Sequence, residues 1–526
     1  MAIKCTNCGG KMSFDIKKRL LVCEHCEYEI AVEDYKRDNS ANYQKNGYEV
    51  NTFVCKECGA ELTSLEEESS TYCPYCGNQA TLHEKSKQEE MPVSIIPFCI
   101  TKEEAKDAYN EMIAKQWFVP KEYKDDTHLQ EFRGIYLPFH NFVFEIKNKK
   151  LKLNGERNYT KGSYDYHETY DVFTDLEGDV DDVVFDASAN FDDTISSAIA
   201  PFNNCDLTEF NEGYLAGFYS DKVTASSELY EQHAEDIAAK SLSDKINNSA
   251  GDVVVKFPYS DKGKSELFGL SQKRKSISLF PIWFLTYRNN DRVAYSVVNG
   301  QTGKITMDTP VDKKSFFRAA GIGALIVFII FTLFFSSILP KTVLAISAIL
   351  TVISSIILSR EVKTIKQKEC HAFDIGNTDK TKKKKIKNIL PKNKNVIVNT
   401  PAKAILAFFS LVFLIPLFSF ISSNPLLALF VSLILLFICL FKNIKNCIQL
   451  KKKSAILSTI FSIIAIFVSF AIMLWSPPAD AWYYGCAIAC LVSMISNSLS
   501  SINYFNFLTT RPVPNFFERT GANNGI

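Results

Sequence analysis

Histidine is scarce in this chain: there are seven in 526 residues, and none falls into an HExxH or other paired spacing. That excludes the common helix-borne zinc-protease site, which needs two imidazoles one helical turn apart. A phosphate loop is also missing. The nearest approach, Asn299-Gly300-Gln301-Thr302-Gly303-Lys304, leaves two residues between its glycines and continues into Ile305. The nucleotide-binding frame needs four residues there and a hydroxyl after the lysine, so a hairpin turn is expected instead. The opening residues, MAIKCTNCGG, contain no apolar run, and no signal peptide is expected. Charge is absent from five long apolar runs toward the other end, which argues against an ion or proton path built on ionisable side chains.

What is present is cysteine in two matching frames. Cys5, Cys8, Cys23 and Cys26 form CxxC-x14-CxxC, and Cys55, Cys58, Cys73 and Cys76 repeat it 50 residues later. Four soft ligands in two knuckles fit a structural zinc ribbon, so two Zn2+ per chain are expected. Disulfides or a dithiol redox pair would not repeat a spacing in this way. In three of the four knuckles a glycine follows the second cysteine (Gly9, Gly59, Gly77), which suits a tight turn of positive φ. His25, inside the CEHC knuckle, is expected in solvent, since four cysteines already complete the shell. Cys99, Cys205, Cys370 and Cys447 are isolated, and no flanking motif marks a nucleophile.

The apolar runs predict about six transmembrane helices, near 319–340, 342–359, 404–421, 425–441, 454–475 and 481–500, arranged as three hairpins. Residues 360–403 carry Arg360 and 12 lysines against 4 acids, and the next long connection holds Lys442, Lys445, Lys451, Lys452 and Lys453. The opposite turns offer Lys341 and Asp480. A multi-pass cell-membrane protein follows, with the N-terminal domains, the basic loops and the C-terminus in the cytoplasm. Reduced zinc thiolates want the same compartment. Trp475, Trp482, Tyr483 and Tyr484 fit an aromatic belt at the outer turn.

A net charge of +1 conceals two opposed halves. Residues 171–239 hold 17 acids and one lysine, Lys222, whereas the membrane half is rich in lysine. Within the acidic stretch, Asp171 to Asp179 departs from a calcium loop, with Phe173 where a ligand belongs and Leu176 where glycine belongs, so a solvated acidic face is expected. The chain divides into residues 1–50 and 51–90 (each a ribbon plus linker), 91–310 (an α+β, strand-rich domain), 311–510 (membrane) and 511–526 (tail). In the middle domain Thr101 and Glu104 form a capping box opening a helix to about Gln116. A second helix is predicted over 226–243, with Leu229, Ile237 and Leu242 near one face. Strands are predicted at 132–146 and 279–287, where Pro138 and Pro281 suggest edges or bulges. A meander follows through Asn289-Asn290-Asp291 and Asn299 to Lys304.

The ribbons, Tyr136-Leu137-Pro138-Phe139, Phe280-Pro281-Ile282-Trp283 and Asn299 to Lys304 ahead of Pro310 and a membrane span together resemble one group. It is the bacterial TFIIB-type zinc-ribbon membrane proteins of YdjG-like layout, and the likeness covers roughly residues 1–340. His140 departs from the group, where tryptophan often follows YLPF. The resemblance implies a membrane-anchored adaptor with no established catalytic activity, linked to envelope stress or membrane organisation. Nucleic-acid binding is disfavoured because residues 51–90 carry 3 basic and 8 acidic residues. The expected function is a non-enzymatic adaptor for cytoplasmic or peripheral membrane proteins. The alternatives are a transporter or channel regulated by the ribbons, and a membrane-tethered nucleic-acid binder.

Overall fold

The computed structural model describes residues 3–35, 47–65, 72–78, 83–125, 131–188, 190–258, 263–334, 339–369, 424–450 and 453–516. Strands β1 (Met12–Asp15), β2 (Leu20–Cys23) and β3 (Glu29–Ala31) make a small antiparallel sheet around the first cysteine set. Around the second set, β4 (Gly47–Val54) pairs with both β5 (Glu61–Ser64) and β6 (His83–Glu90). Strand β6 lies in the linker part of residues 51–90. HEKSKQEE has no apolar alternation to announce a strand, but the β4–β6 ladder uses main-chain groups that every residue there possesses.

The middle region continues with β7 (Ser94–Ile95), α1 (Lys102–Ala114), β8 (Arg133–Lys161), β9 (Tyr164–Asp186), α2 (Asp193–Ile199), β10 (Thr208–Glu209) and β11 (Tyr219–Asp221). It ends with α3 (Glu231–Ser249), β12 (Val254–Lys256), β13 (Ser271–Asn289), β14 (Arg292–Asn299) and β15 (Ile305–Met307). These strands share one 13-stranded sheet with β4–β6, because β11 pairs with β5 on one side and β8 on the other. The expected capping box is formed: Thr101 N–H donates to Glu104 Oε2 at 2.8 Å, and Glu104 N–H donates to Thr101 Oγ1 at 3.3 Å. The second predicted helix starts later than expected and buries Ala234, Ala238, Ala239, Leu242 and Ile246, while Leu229 is exposed. Its inner face is built largely of alanines, a pattern that a search for large apolar residues passes over.

Pro138 and Pro281 lie in the two central strands, not at edges. β8 and β13 pair with each other along most of their common length, with Leu279 opposite Pro138 and Pro281 opposite Tyr136. Each proline sits where the strand on its other flank changes. Beside β8, β11 ends at Tyr136 and β9 begins at Phe139; beside β13, β7 ends at Leu279 and β14 begins at Ile282. The prolyl carbonyls still accept hydrogen bonds, from Ala187 N–H at 2.8 Å and Gly300 N–H at 2.9 Å. The missing prolyl N–H faces a gap, so no ladder bond is lost.

The acidic stretch begins on the strand β9, and several of its acids find cations within the same chain. Asp171 pairs with Lys152 at 3.0 Å, Asp179 with Lys273 at 2.7 Å, and Asp192 with Arg511 at 2.8 Å. The face from Asp171 to Asp179 is solvated as expected, with these aspartates 40 to 74% exposed, and it is laced with ion pairs.

Helix α4 (Lys313–Phe334) begins the membrane part, followed by α5 (Pro340–Glu369), α6 (Pro425–Leu450), α7 (Ser454–Trp475) and α8 (Ala481–Leu508). Among the described residues four helices are long and apolar enough to cross a membrane: Pro340–Ile365, Pro425–Cys447, Ser454–Trp475 and Ala481–Phe507. They answer four of the six expected spans. The expected span at 404–421 lies outside the described residues, as do the basic cluster Lys382 to Lys385 and residues 335–338 of the first span. In the bundle, Lys341 Nζ sits 5.7 Å from the centre of the Tyr483 ring, and Trp475 packs edge-on to Trp482. The expected outer turns near 341 and 478 therefore share one end. After α8, Arg511–Pro512 (β16) pairs with β14 and returns the chain to the soluble sheet.

Candidate metal centres

Each cysteine pair is held by the same local turn, repeated four times. Gly9 N–H donates to Cys5 O, Glu27 to Cys23 O, Gly59 to Cys55 O and Gly77 to Cys73 O, at 2.8 to 3.1 Å. The first cysteine of each pair closes the loop with its own N–H, donated to Gly10, Tyr28, Ala60 or Asn78 O. The geometry requires a positive φ after the second cysteine, found at Gly9 (74°), Glu27 (58°), Gly59 (75°) and Gly77 (67°). Glycine adopts this freely; Glu27 holds it despite its Cβ.

The knuckles bring all eight predicted cysteines into two groups of four, each with its sulfurs within 4.8 Å of one another. Sγ–Sγ separations are 3.7 Å for Cys5–Cys26, 3.5 Å for Cys8–Cys23, 3.7 Å for Cys55–Cys76 and 3.8 Å for Cys58–Cys73. These are far longer than a disulfide, which is about 2.05 Å. A tetrahedral ion with metal–sulfur bonds of about 2.3 Å has sulfur–sulfur edges of about 3.8 Å. Both groups fit such an ion. Backbone amides of Asn7, Gly10 and His25 approach Cys5, Cys8 and Cys23 Sγ at 3.4 Å. The Cys26 amide, followed by that of His25, holds the Cys23 thiol down to about 6. In the second group Cys55 is lowered strongly by hydrogen bonds from Cys58, Cys73 and Cys76, whereas Cys58 is raised by Cys55, Cys73 and Cys76. Four thiols in one shell cannot all ionise without a cation, which is the electrostatic reason for a metal there.

The two centres differ in exposure. Cys8 is exposed and Cys26 half-buried, but Cys55, Cys58, Cys73 and Cys76 are each 0% exposed. The first unit rests on the middle domain through Phe14, whose N–H donates to Ala216 O at 3.1 Å and whose ring meets Tyr214 at 5.3 Å. The second is enclosed by it. Tyr75 OH donates to the buried Asp221 at 2.6 Å, Tyr295 OH to Tyr75 O at 2.8 Å, and Thr286 Oγ1 to Pro74 O. Asp221, raised by burial, accepts further bonds from Ser188 Oγ and Lys222 N–H.

Sequence reasoning missed the far end of the chain. Phe516 N–H donates to Cys58 O at 2.7 Å, and its ring lies edge-on to Tyr75 at 5.6 Å. Arg511 bridges Asp192 and Asp308, and Arg292 caps the end of α8 through Phe507 O and Thr510 O. Residues 511–516 look like a polar tail in one dimension; the signal was the apolar Val513 and Phe516 beyond a basic Arg511. Asn299 to Lys304 forms the expected turn, with Asn299 Oδ1 accepting from Gln301 and Thr302 N–H.

The fold and these centres define a membrane protein carrying two four-cysteine groups that could each hold a metal ion. The chain is similar to a protein of Bacillus subtilis (strain 168), the "Uncharacterized protein YdjG". The two are 27% identical over 318 residues, covering 60% of this chain and 91% of that one. No family model matches, and no solved structure matches.

Proposed function

We propose that this chain is a zinc-binding, non-enzymatic adaptor that holds cytoplasmic protein partners at the membrane, its two centres being zinc ribbons of the TFIIB type. The metal would be zinc because eight thiolates in tetrahedral sets suit a soft ion with no redox demand. One observation carries the adaptor reading: both cysteine units are packed on a single strand-rich body that is hydrogen-bonded to the membrane bundle at its entry and its exit. Asp312 N–H donates to Phe118 O at 2.6 Å before α4, and Asn506 of α8 exchanges two hydrogen bonds with Val311. A metal-rigidified surface is thereby fixed relative to the bilayer, which suits recruitment.

Entry and exit on one face also require an even number of crossings between residues 312 and 510. Four candidate spans lie among the described residues with α4 ahead of them, and the expected span at 404–421 lies outside the described residues. The lysine-rich loops support a cytoplasmic position for that face.

A second reading, transport, has one observation in its favour. Asn497 Nδ2 lies 2.9 to 3.0 Å from the hydroxyls of Ser354, Ser355 and Ser462, and Ser462 bonds Ser493 at 2.6 Å, all within the bundle. Uncharged hydroxyls and amides of this kind also serve as interhelical glue.

Affinity capture of the full-length protein from membranes tests the proposal. An adaptor retains a protein partner that is lost in Cys55→Ser; a transporter moves a solute after reconstitution and retains none.

A further inference from the structure

At the base of α4 the soluble body presents an aromatic corner. Trp117 is 73% exposed and lies edge-on to Phe118, with ring centroids 6.2 Å apart. Phe118 packs edge-on against Phe316 at 5.5 Å, and Phe316 against Phe317 at 5.4 Å. The corner is tied down. Phe118 takes a φ of 62° and its carbonyl accepts the Asp312 N–H at 2.6 Å, while Val119 is buried beneath it. Lys314, Phe317 and Arg318 line a shallow hollow on the same flank.

The depth of this corner follows from the helix it touches. Arg318 is the last charge before the uncharged run that starts at Ala319. Phe316 lies three residues earlier, about 5 Å along a helix axis. The headgroup zone on each side of the ~30 Å hydrocarbon core is about 5 to 8 Å deep. A residue packed on Phe316 therefore stands at headgroup level. Tryptophan favours that layer, with its ring among acyl carbonyls and its N–H still wet, and two cations beside it face lipid phosphates.

We propose that Trp117 and Phe118 form an interfacial anchor that seats the soluble body on the phospholipid surface, with Lys314 and Arg318 toward the phosphates. The anchor fixes the height and tilt at which both metal centres stand above the bilayer. It rests on the reading of 319–340 as a membrane span.

The test uses full-length protein carrying Trp475→Phe and Trp482→Phe, reconstituted in phosphatidylcholine–phosphatidylglycerol vesicles. Trp117 and the buried Trp283 then supply the emission, and adding Trp117→Phe isolates the Trp283 background. The expected result is loss of most Trp117 emission with lipids brominated near the headgroup end of the acyl chain, and little loss with aqueous iodide. A control places Ile326→Trp in the Trp117→Phe background. If lipid bromine quenches that probe while Trp117 answers only to iodide, the span stands and the anchor is overturned. If neither probe responds to brominated lipid, the span reading fails and takes the anchor with it.

Discussion

Phe516 N–H donates to the carbonyl of Cys58 at 2.7 Å, so the segment that leaves the last membrane helix closes over the second cysteine centre. With Phe516 3% exposed against Tyr75, and Arg511 held between Asp192 and Asp308, residues 511–516 are a strap and part of the soluble body. A fragment ending at residue 310 would lack it.

Phe516→Ala should therefore destabilise the soluble body by about 3 to 5 kcal/mol, the usual cost of emptying a buried aromatic site. The effect should be selective: a chelator should strip the second centre faster than in the parent chain, while the first keeps its rate. Equal rates at the second centre in parent and variant would show that the strap does not guard it.

Glu27 is the one knuckle residue that holds a positive φ with a side chain, at 58°. The left-handed conformation costs an L-residue about 1 to 2 kcal/mol, partly returned by its smaller unfolded-state entropy. Glu27→Gly should raise stability by up to about 1 kcal/mol, read as a higher denaturant midpoint in the zinc-loaded protein. A lower midpoint would mean that the Glu27 side chain contributes more than its strain costs.

His140 is buried and its Nε2–H donates to Ala225 O at 2.8 Å. Burial, with Lys275 nearby, lowers its pKa below the ordinary 6.5. The folded state thus prefers the neutral ring, and the unfolded chain binds the extra proton. The His140 contribution to stability is present above about pH 6.5 and is lost as pH falls from there toward the lowered folded value, by at most about 1.4 kcal/mol per pH unit. Metal loss in acid adds to the slope in every variant, so the parent is compared with His140→Gln between pH 7.5 and 5.5. The variant should lose stability less steeply; identical slopes would contradict this account.

The cysteine centres were legible because their geometry is local: the CxxC turns and the spacing between them are written along the chain. The capping box at Thr101 and the turn at Asn299 were legible for the same reason. Contacts across hundreds of residues were not. Nothing near Asp171 or Asp179 announces that Lys152 and Lys273 will come within ion-pair distance of them, and a run of acids shows only a solvated face. Pro138 and Pro281 misled for a related reason. A proline marks a missing donor, and whether that leaves a ladder bond unmade depends on where the flanking strands end. The strap at Arg511 and Phe516 was hidden because two anchoring residues beyond a membrane helix have no periodicity.

Metal content of the full-length protein tests the central claim most directly. Each site should supply on the order of 10 kcal/mol to folding its unit, and elemental analysis should find two zinc ions per chain. Cys23→Ser should leave one, and so should Cys58→Ser, with the remaining ion of Cys58→Ser the easier to chelate because Cys8 and Cys26 of the first centre reach solvent. A zinc content near zero, with Cys5–Cys26 or Cys55–Cys76 found as disulfides by mass spectrometry, would contradict the account.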